Sequence, residues 1–352
     1  MLTRYIKVNS LNLEPEKIEE TAKILKEGGL VAFPTETVYG LGADAFNPQA
    51  VRNIFKAKGR PQDNPLIIHI WSNEQLDKLV KNIPQKAHVL MNNFWPGPLT
   101  VVLPKKEGVM SEATSGLDTV GVRMPDHPVA LKLFQRSGVA VAAPSANISG
   151  KPSPTGGLHV LKDLAGKIDV VLDGGSAKVG VESTVVDCTG EIPVILRPGG
   201  VTKEEMEEVV GEVLLDPALH RKTFKPKSPG MKYSHYAPDG IMYLVVGKSI
   251  KSLAEKLADI SMKRYQAGYK VALLAFEDTL ALIGEKPYIK LSLGSRDNLS
   301  ITAAKIYGLL RQCDRLKIDF IIAEGCPRKG MGLAVMNRLE KASGGKIIRL
   351  QD

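Results

Sequence analysis

The chain has 352 residues, 43% of them hydrophobic and 24% charged, with a formal net charge of +9 at pH 7. That length suits two folded cores better than one, and the composition is that of an ordinary globular protein rather than a disordered or fibrous one. No run approaches the ~20 apolar residues of a membrane span, and the opening MLTRYIKVNSLNLEPE lacks the apolar stretch of a signal peptide, so a cytoplasmic location is expected.

Cys188, Cys313 and Cys326 lie far apart and form no CxxC, which points to reduced thiols and away from a disulfide framework or a zinc site. The positive charge favours anionic partners, namely phosphate-bearing small molecules, RNA, or both. It is spread along the chain, with no basic run interleaved with aromatics.

Taken in chain order, PEKIEETAKILKEGGL (14–29) has helical periodicity and stops at Gly28 and Gly29, and LVAFP follows as a buried strand. Asn47 is a good N-cap before Pro48, which opens a helix PQAVRNIFKAK that ends at Gly59 and Pro61. PLIIHIW reads as a strand and NEQLDKLVKNI as a helix. LTVVL, TVGVRM, VAVAA, DVVLD, STVVD and PVILR are further strands, with the helix HPVALKLFQRSG among them. Up to about residue 212 the pattern is mixed α/β without a regular βαβ repeat. From residue 240, IMYLVV, KVALLAF and IDFIIAE alternate with two long helices, as in a small three-layer, Rossmann-like domain on a parallel sheet. The expected division is 1–212, a linker 213–239, and 240–352.

VVGKSI resembles the end of a phosphate-binding P-loop, but Met242 stands where that loop needs glycine, so it reads as a plain strand-to-helix turn. In FPTETVYGLGADA, hydroxyls at Thr35 and Thr37 precede Gly40 and Gly42, which suits either a tight turn or close approach of a ligand. Lys56, Lys58 and Arg60 bunch at a helix C-terminus, where they serve the dipole or hold phosphates, with Arg60 able to fork two oxygens. His69 interrupts an apolar strand and is open to two readings, a satisfied core histidine or a ligand. Arg123 and Arg197 leave strands, and Ser145, Asn147, Ser149, Ser153, Ser183 and Thr184 occupy loops at strand ends. No GxSxG and no histidine–carboxylate cluster accompanies them. The set suits a basic pocket that positions a phosphorylated ligand and neutralises its charge.

FPTETVYGLGADA, KGRPQDNPL, WPGPLT, GVRMPDHP, APSANISGKPSPT, GVESTVVD and LRPG, in this order over residues 14 to about 210, resemble the YrdC-type domain of the threonylcarbamoyl-AMP synthase family. The length and the segment SPGMKYSHYAP (228–238) are similar to the long form, with a linker and a C-terminal domain. The resemblance implies a YrdC-like twisted mixed sheet. It implies condensation of L-threonine, bicarbonate and ATP to L-threonylcarbamoyladenylate and pyrophosphate, for N6-threonylcarbamoyladenosine in tRNA. Lys58 and Arg60 fall on the family's Lys-x-Arg motif, with a catalytic role, and Ser145-Ala146-Asn147 on its Ser-x-Asn. By the same resemblance Thr37, His69, Arg123, Ala143 and Ser183 hold threonine. Arg60, Asn64, Thr119, Ser145, Asn147, Ser153, Arg197 and Tyr236 hold ATP. Mg²⁺ is expected on the triphosphate rather than on protein side chains, and tRNA and a downstream threonylcarbamoyl transferase complex are the further partners. The linker, carrying Lys232, Tyr233, His235 and Tyr236 between Pro229, Gly230 and Pro238, is expected to close over the site as a lid. Two other classes compete: a basic RNA-binding module without catalysis, and a nucleotide sensor that binds ATP without consuming it.

Overall fold

The computed structural model describes residues 2–219 and 236–351. They form two units, one of residues 2–149 with 153–219 and one of residues 150–152 with 236–351. Most of the expected linker, including Lys232, Tyr233 and His235, lies outside the described residues.

The first unit is built on one mixed sheet. In chain order its strands are β1 (Arg4–Lys7), β2 (Val31–Phe33), β3 (Gly40–Asp44), β4 (Ile67–His69), β5 (Leu99–Pro104) and β6 (Thr119–Arg123). They continue with β7 (Val141–Ala143), β8 (Val170–Asp173), β9 (Thr184–Asp187), β10 (Val194–Arg197) and β11 (Leu214–Leu215). The order across the sheet is β1-β8-β2-β3-β7-β4-β6-β5-β9-β10-β11. Strand β3 runs against both β2 and β7, β4 runs with β6, and β5 runs against β6 and with β9. The expected YrdC-like mixed sheet is therefore present.

Side chains alternate between the two faces with the strand period of two. On β2 and β7, Ala32 and Ala142 enter the larger core with helices Pro48–Lys58 and Gln85–Phe94, through Val51, Ile54 and Leu90. Val31, Phe33, Val141 and Ala143 face the other way and pack on helices Pro15–Lys26 and Pro128–Ser137 through Ile18, Leu25, Leu133 and Phe134. That second face carries a separate apolar patch of Ile67, Val102, Val185 and Leu196.

The pattern breaks beside that patch. His69 stands two residues from Ile67 and Thr100 two from Val102, Arg123 is the register partner of His69, and Ser183 stands two residues before Val185. Polar side chains thus occupy positions where the sheet period calls for apolar ones.

Strand β3 was not recognisable as a strand from its sequence, GLGAD, because glycine disfavours strands. Its glycines are explained by the Phe33 ring lying across it. A Cβ at Gly40 would stand 2.6 Å from that ring, and one at Gly42 would stand 2.7 Å from it and 2.6 Å from Val141.

The second unit has five parallel strands, β12 (Ile241–Val246), β13 (Val271–Ala275), β14 (Ile289–Ser292), β15 (Phe320–Glu324) and β16 (Ile347–Arg349). Their order is β14-β13-β15-β12-β16, so the sheet and layers are as expected while the order differs from the 3-2-1-4-5-6 of dinucleotide-binding folds. The chain steps one way across the sheet as far as β14 and then turns back. Right-handed crossovers place Ile250–Gln266 and Glu277–Ile283 on one face and Leu299–Arg315 and Met331–Ala342 on the other, and each pair packs together. Ser249 accepts a hydrogen bond from the Ser252 amide at 3.2 Å, so VVGKSI is a capped turn, as read.

Replacing Gly42 with alanine is expected to lower unfolding stability by about 1–3 kcal/mol through overpacking against Phe33 and Val141. Urea denaturation checks this, and an unchanged midpoint would show that the Phe33 ring does not press on β3.

Candidate active site

Three buried cations define the site in the first unit: Lys58, Arg123 and Arg197, only 2%, 4% and 6% exposed. Each ends a regular element, the helix Pro48–Lys58 or the strands β6 and β10. The first of these is set by local sequence. Asn47 accepts the amides of Gln49 and Ala50, and Gly59 closes the helix at φ 61°, a conformation that suits glycine.

Lys58 reaches the loop after β7. Its ammonium donates to the Ser145 carbonyl at 2.5 Å, to the Asn147 carbonyl, and to Asn147 Oδ1 at 3.4 Å. The Lys58 carbonyl accepts the Ser149 amide at 2.9 Å, and Ser145 Oγ donates to Asn147 Oδ1 at 2.6 Å. The Lys-x-Arg and Ser-x-Asn segments are thus one hydrogen-bonded unit, and Lys58 shapes the loop as well as charging it. Arg60 donates to the carbonyls of Asn64 at 3.2 Å and Pro65 at 3.2 Å, bridging the turn into β4. Asn64 is buried, and its Oδ1 has no hydrogen-bond partner among the described residues.

Arg123 donates Nη1 to Thr37 Oγ1 at 2.9 Å, Nη2 to Glu36 Oε1 at 2.6 Å and Nε to the Gly97 carbonyl at 3.2 Å. Arg197 donates to the Ser183 carbonyl at 2.9 Å and to Ser183 Oγ at 3.1 Å, and Ser183 Oγ shares a hydrogen bond of 2.8 Å with Thr100. Two residues assigned to different substrates, Ser183 and Arg197, therefore touch. Ser153 is fully buried and donates to Glu182 at 2.5 Å. Ala143 ends β7 beside Ile67, and Thr119 opens β6 opposite Pro104.

His69 meets the Phe33 ring edge-on, with centroids 5.9 Å apart. Burial, reinforced by the charges of Arg123 and Arg197, pushes its pKa down to about 3, so the imidazole is neutral near pH 7. Its Nδ1 is buried and without a partner among the described residues, which leaves a hydrogen-bonding position for a ligand hydroxyl. His127 Nδ1 is likewise unpartnered, and burial pushes that pKa down to about 4.

Tyr236 belongs to the second unit. It is buried with φ 67°, its ring lies 5.3 Å from that of Tyr307, and the Arg338 guanidinium stands 5.5 Å from its centroid. Among the described residues no group of three or more His, Cys, Asp or Glu is placed to hold a metal ion.

Residues 23–199 match a family model described as "Telomere recombination", and residues 201–344 match one described as "Threonylcarbamoyl-AMP synthase, C-terminal domain". The threonylcarbamoyl-AMP synthase of Bacillus subtilis (strain 168) is 49% identical over 342 residues, covering 97% of each chain. The chain belongs to the threonylcarbamoyl-AMP synthase family. The Pyrococcus abyssi (strain GE5 / Orsay) threonylcarbamoyl-AMP synthase is 50% identical over 343 residues, 96% of this chain and 97% of that one. A crystal structure of P. abyssi Sua5 complexed with L-threonine superposes with a TM-score of 0.93 at 50% identity, over 99% of this chain and 100% of that one.

Two buried acids of the first unit, Glu36 and Glu182, carry no signal in the sequence. Each is an isolated carboxylate among threonines and serines, a pattern that reads as surface. Their proximity to Arg123 and Ser153 comes only from the fold.

The depressed pKa of His69 has a defined sign in stability. The unfolded chain binds a proton near pH 6.5 that the folded chain does not bind until about pH 3, so acid costs stability across that window. His69→Asn removes this contribution, and its melting temperature is expected to fall less steeply than that of the parent between pH 6.5 and 4. Parallel curves would contradict the assignment.

Proposed function

We propose that this protein condenses L-threonine, bicarbonate and ATP into L-threonylcarbamoyladenylate and pyrophosphate, and that the product serves N6-threonylcarbamoyladenosine formation in tRNA. The observation that supports this reading best is the buried line of Arg123, Ser183 and Arg197 on one sheet face, with the Lys58-bound loop as a second cationic element. Cations so shielded are poorly placed for the phosphates of a duplex, which disfavours a plain RNA-binding module.

In this reading Arg123 takes the threonine carboxylate on guanidinium hydrogens not used by Glu36, Thr37 and Gly97. Neutral His69 and Thr37 read the side-chain hydroxyl, and the Ala143 backbone and Ser183 complete the amino-acid end. Arg60, Asn64, Thr119, Ser145, Asn147, Ser153 and Arg197 hold the nucleotide, with Tyr236 as a further ligand. The unpartnered Asn64 Oδ1 is suited to accept a hydrogen bond from the nucleotide. The threonine amine captures CO₂ derived from bicarbonate as a carbamate, and a carbamate oxygen attacks the α-phosphorus as pyrophosphate leaves. Arg60 and the Lys58-bound loop stabilise the charge that builds on the departing phosphates. Mg²⁺ is proposed to arrive on the triphosphate, since the buried acids Glu36 and Glu182 are engaged by Arg123 and Ser153, and when bound it neutralises phosphate charge. A carbamate and an acyl phosphate are both labile in water, so the residues 213–239 are proposed to act as a lid. The tRNA-modifying transferase that consumes the product is the proposed downstream partner.

Pyrophosphate release from ATP, measured with threonine and bicarbonate omitted in turn, is expected to require both. Arg60→Ala is expected to lower the complete reaction about 10²-fold or more. Release without threonine, or binding of ATP with no release under any condition, would overturn the reading.

A further inference from the structure

Glu36 is a buried acid of the first unit whose chemistry the preceding roles leave unused. It is 6% exposed, and its Oε1 is bound to Arg123 at 2.6 Å. Its Oε2 is shielded from solvent and has no hydrogen-bond partner among the described residues. Leaving a buried carboxylate oxygen without a donor is unfavourable, and proteins retain such groups where a ligand or a reaction uses them.

Glu36 is also held in place. Thr35 Oγ1 accepts the amides of Thr37 and Val38 at 3.2 Å each and donates to the Val38 carbonyl at 2.6 Å. The Glu36 carbonyl accepts the Val179 amide at 2.7 Å. With backbone and Oε1 both fixed, the free Oε2, which shares a carbon with Oε1, stays beside the Arg123 guanidinium.

We propose that Glu36 binds the α-ammonium of the amino-acid substrate through Oε2 and takes the proton that the amine must lose before it reacts. The inference rests on the reading given under Proposed function. Charge supports it: Arg123 and Glu36 form a neutral buried pair, so a carboxylate arriving alone on Arg123 would stand beside another carboxylate. An α-amino acid brings the matching opposite pair, its carboxylate for Arg123 and its ammonium for Glu36. The pair therefore recognises a zwitterion.

The same contact begins the chemistry. The ammonium passes one proton to Glu36, and the freed nitrogen lone pair forms the N–C bond to CO₂ as a C=O π pair moves onto oxygen. The nitrogen then sheds a second proton to give the carbamate. Bicarbonate supplies the CO₂ by losing its hydroxyl as water, which consumes one of these two protons, and the other leaves to solvent. In sum, R–NH₃⁺ and HCO₃⁻ give R–NH–COO⁻, H₂O and H⁺. Among the described residues, charged or titratable groups near Glu36 include Arg123, which binds it, and His127, which feels both its charge and that of Lys178.

The test compares L-threonine with 3-hydroxybutyrate, which keeps the carboxylate and hydroxyl but lacks the ammonium. By calorimetry the unaltered protein is expected to bind threonine at least ~10-fold more tightly than 3-hydroxybutyrate, the scale of one charged contact. Glu36→Gln is expected to abolish that preference, and Glu36→Asp, which keeps the charge, to retain part of it. Threonine-dependent pyrophosphate release by Glu36→Gln is expected to fall at least ~10²-fold near neutral pH and to recover as pH rises through the pKa of the amine itself. A deficit that is the same at every pH, or a threonine preference unchanged in Glu36→Gln, overturns the proposal. Should the Gln variant fail to fold, equal affinity of the unaltered protein for the two ligands overturns it instead. Absence of threonine-dependent release from the unaltered protein would be a failure of the underlying reading, visible before any variant is made.

Discussion

The first unit depends on burying the Lys58 ammonium. Placing a full charge on a residue only 2% exposed is unfavourable unless oxygens replace its hydration, and here the oxygens come from Ser145 and Asn147. The consequence runs in both directions. The lysine is held by the loop, and the loop takes its shape from the lysine, so the hydroxyl and amide of the Ser-x-Asn motif are positioned before any ligand arrives. Helix Pro48–Lys58 fixes where that charge sits, and its Asn47 cap and Gly59 terminus fix where the helix ends.

Arg123 and Arg197 follow the same logic on the sheet. Arg123 is compensated by Glu36, Thr37 and the Gly97 carbonyl, and Arg197 by Ser183. Both guanidiniums are oriented in buried surroundings, where a charge interacts more strongly with an oppositely charged group than it does in water. Burial, reinforced by the charges of Arg123 and Arg197, keeps His69 neutral, so a neutral imidazole stands beside the two cations. The second unit places Tyr236 in an aromatic and cationic setting of its own, with Tyr307 and Arg338. Residues 150–152 belong to that unit, where the Ala237 amide donates to the Gly150 carbonyl and Arg311 donates to the Pro152 carbonyl.

Much of this was legible in the sequence, for identifiable reasons. The eight expected strands of the first unit appear because each is a short β-branched run bounded by Gly, Pro or Asp, and the Asn47–Gly59 helix appears because its caps are local. Strand β3 was hidden because its glycines answer to Phe33, a residue on the neighbouring strand. Lys58 was expected to serve the helix dipole or hold phosphates, yet its ammonium is directed to a loop 87 residues further on, a contact that no local pattern encodes. Glu36 and Glu182 were missed for the same reason. A partial signal did exist: His69 and Ser183 sit in the strand period where Ile67 and Val185 are apolar, and Arg123 is the register partner of His69. Polar residues on the apolar phase of short strands mark this site better than any single motif.

The central claim is that Lys58 acts through the loop it holds. Equilibrium binding of ATP and of threonine to Lys58→Met tests it most directly, because methionine retains the unbranched apolar stem and removes the ammonium. The account predicts that ATP affinity falls at least ~10-fold, as expected when a buried charged hydrogen-bond set is lost, while threonine binding stays within about twofold. Unchanged ATP affinity would contradict it.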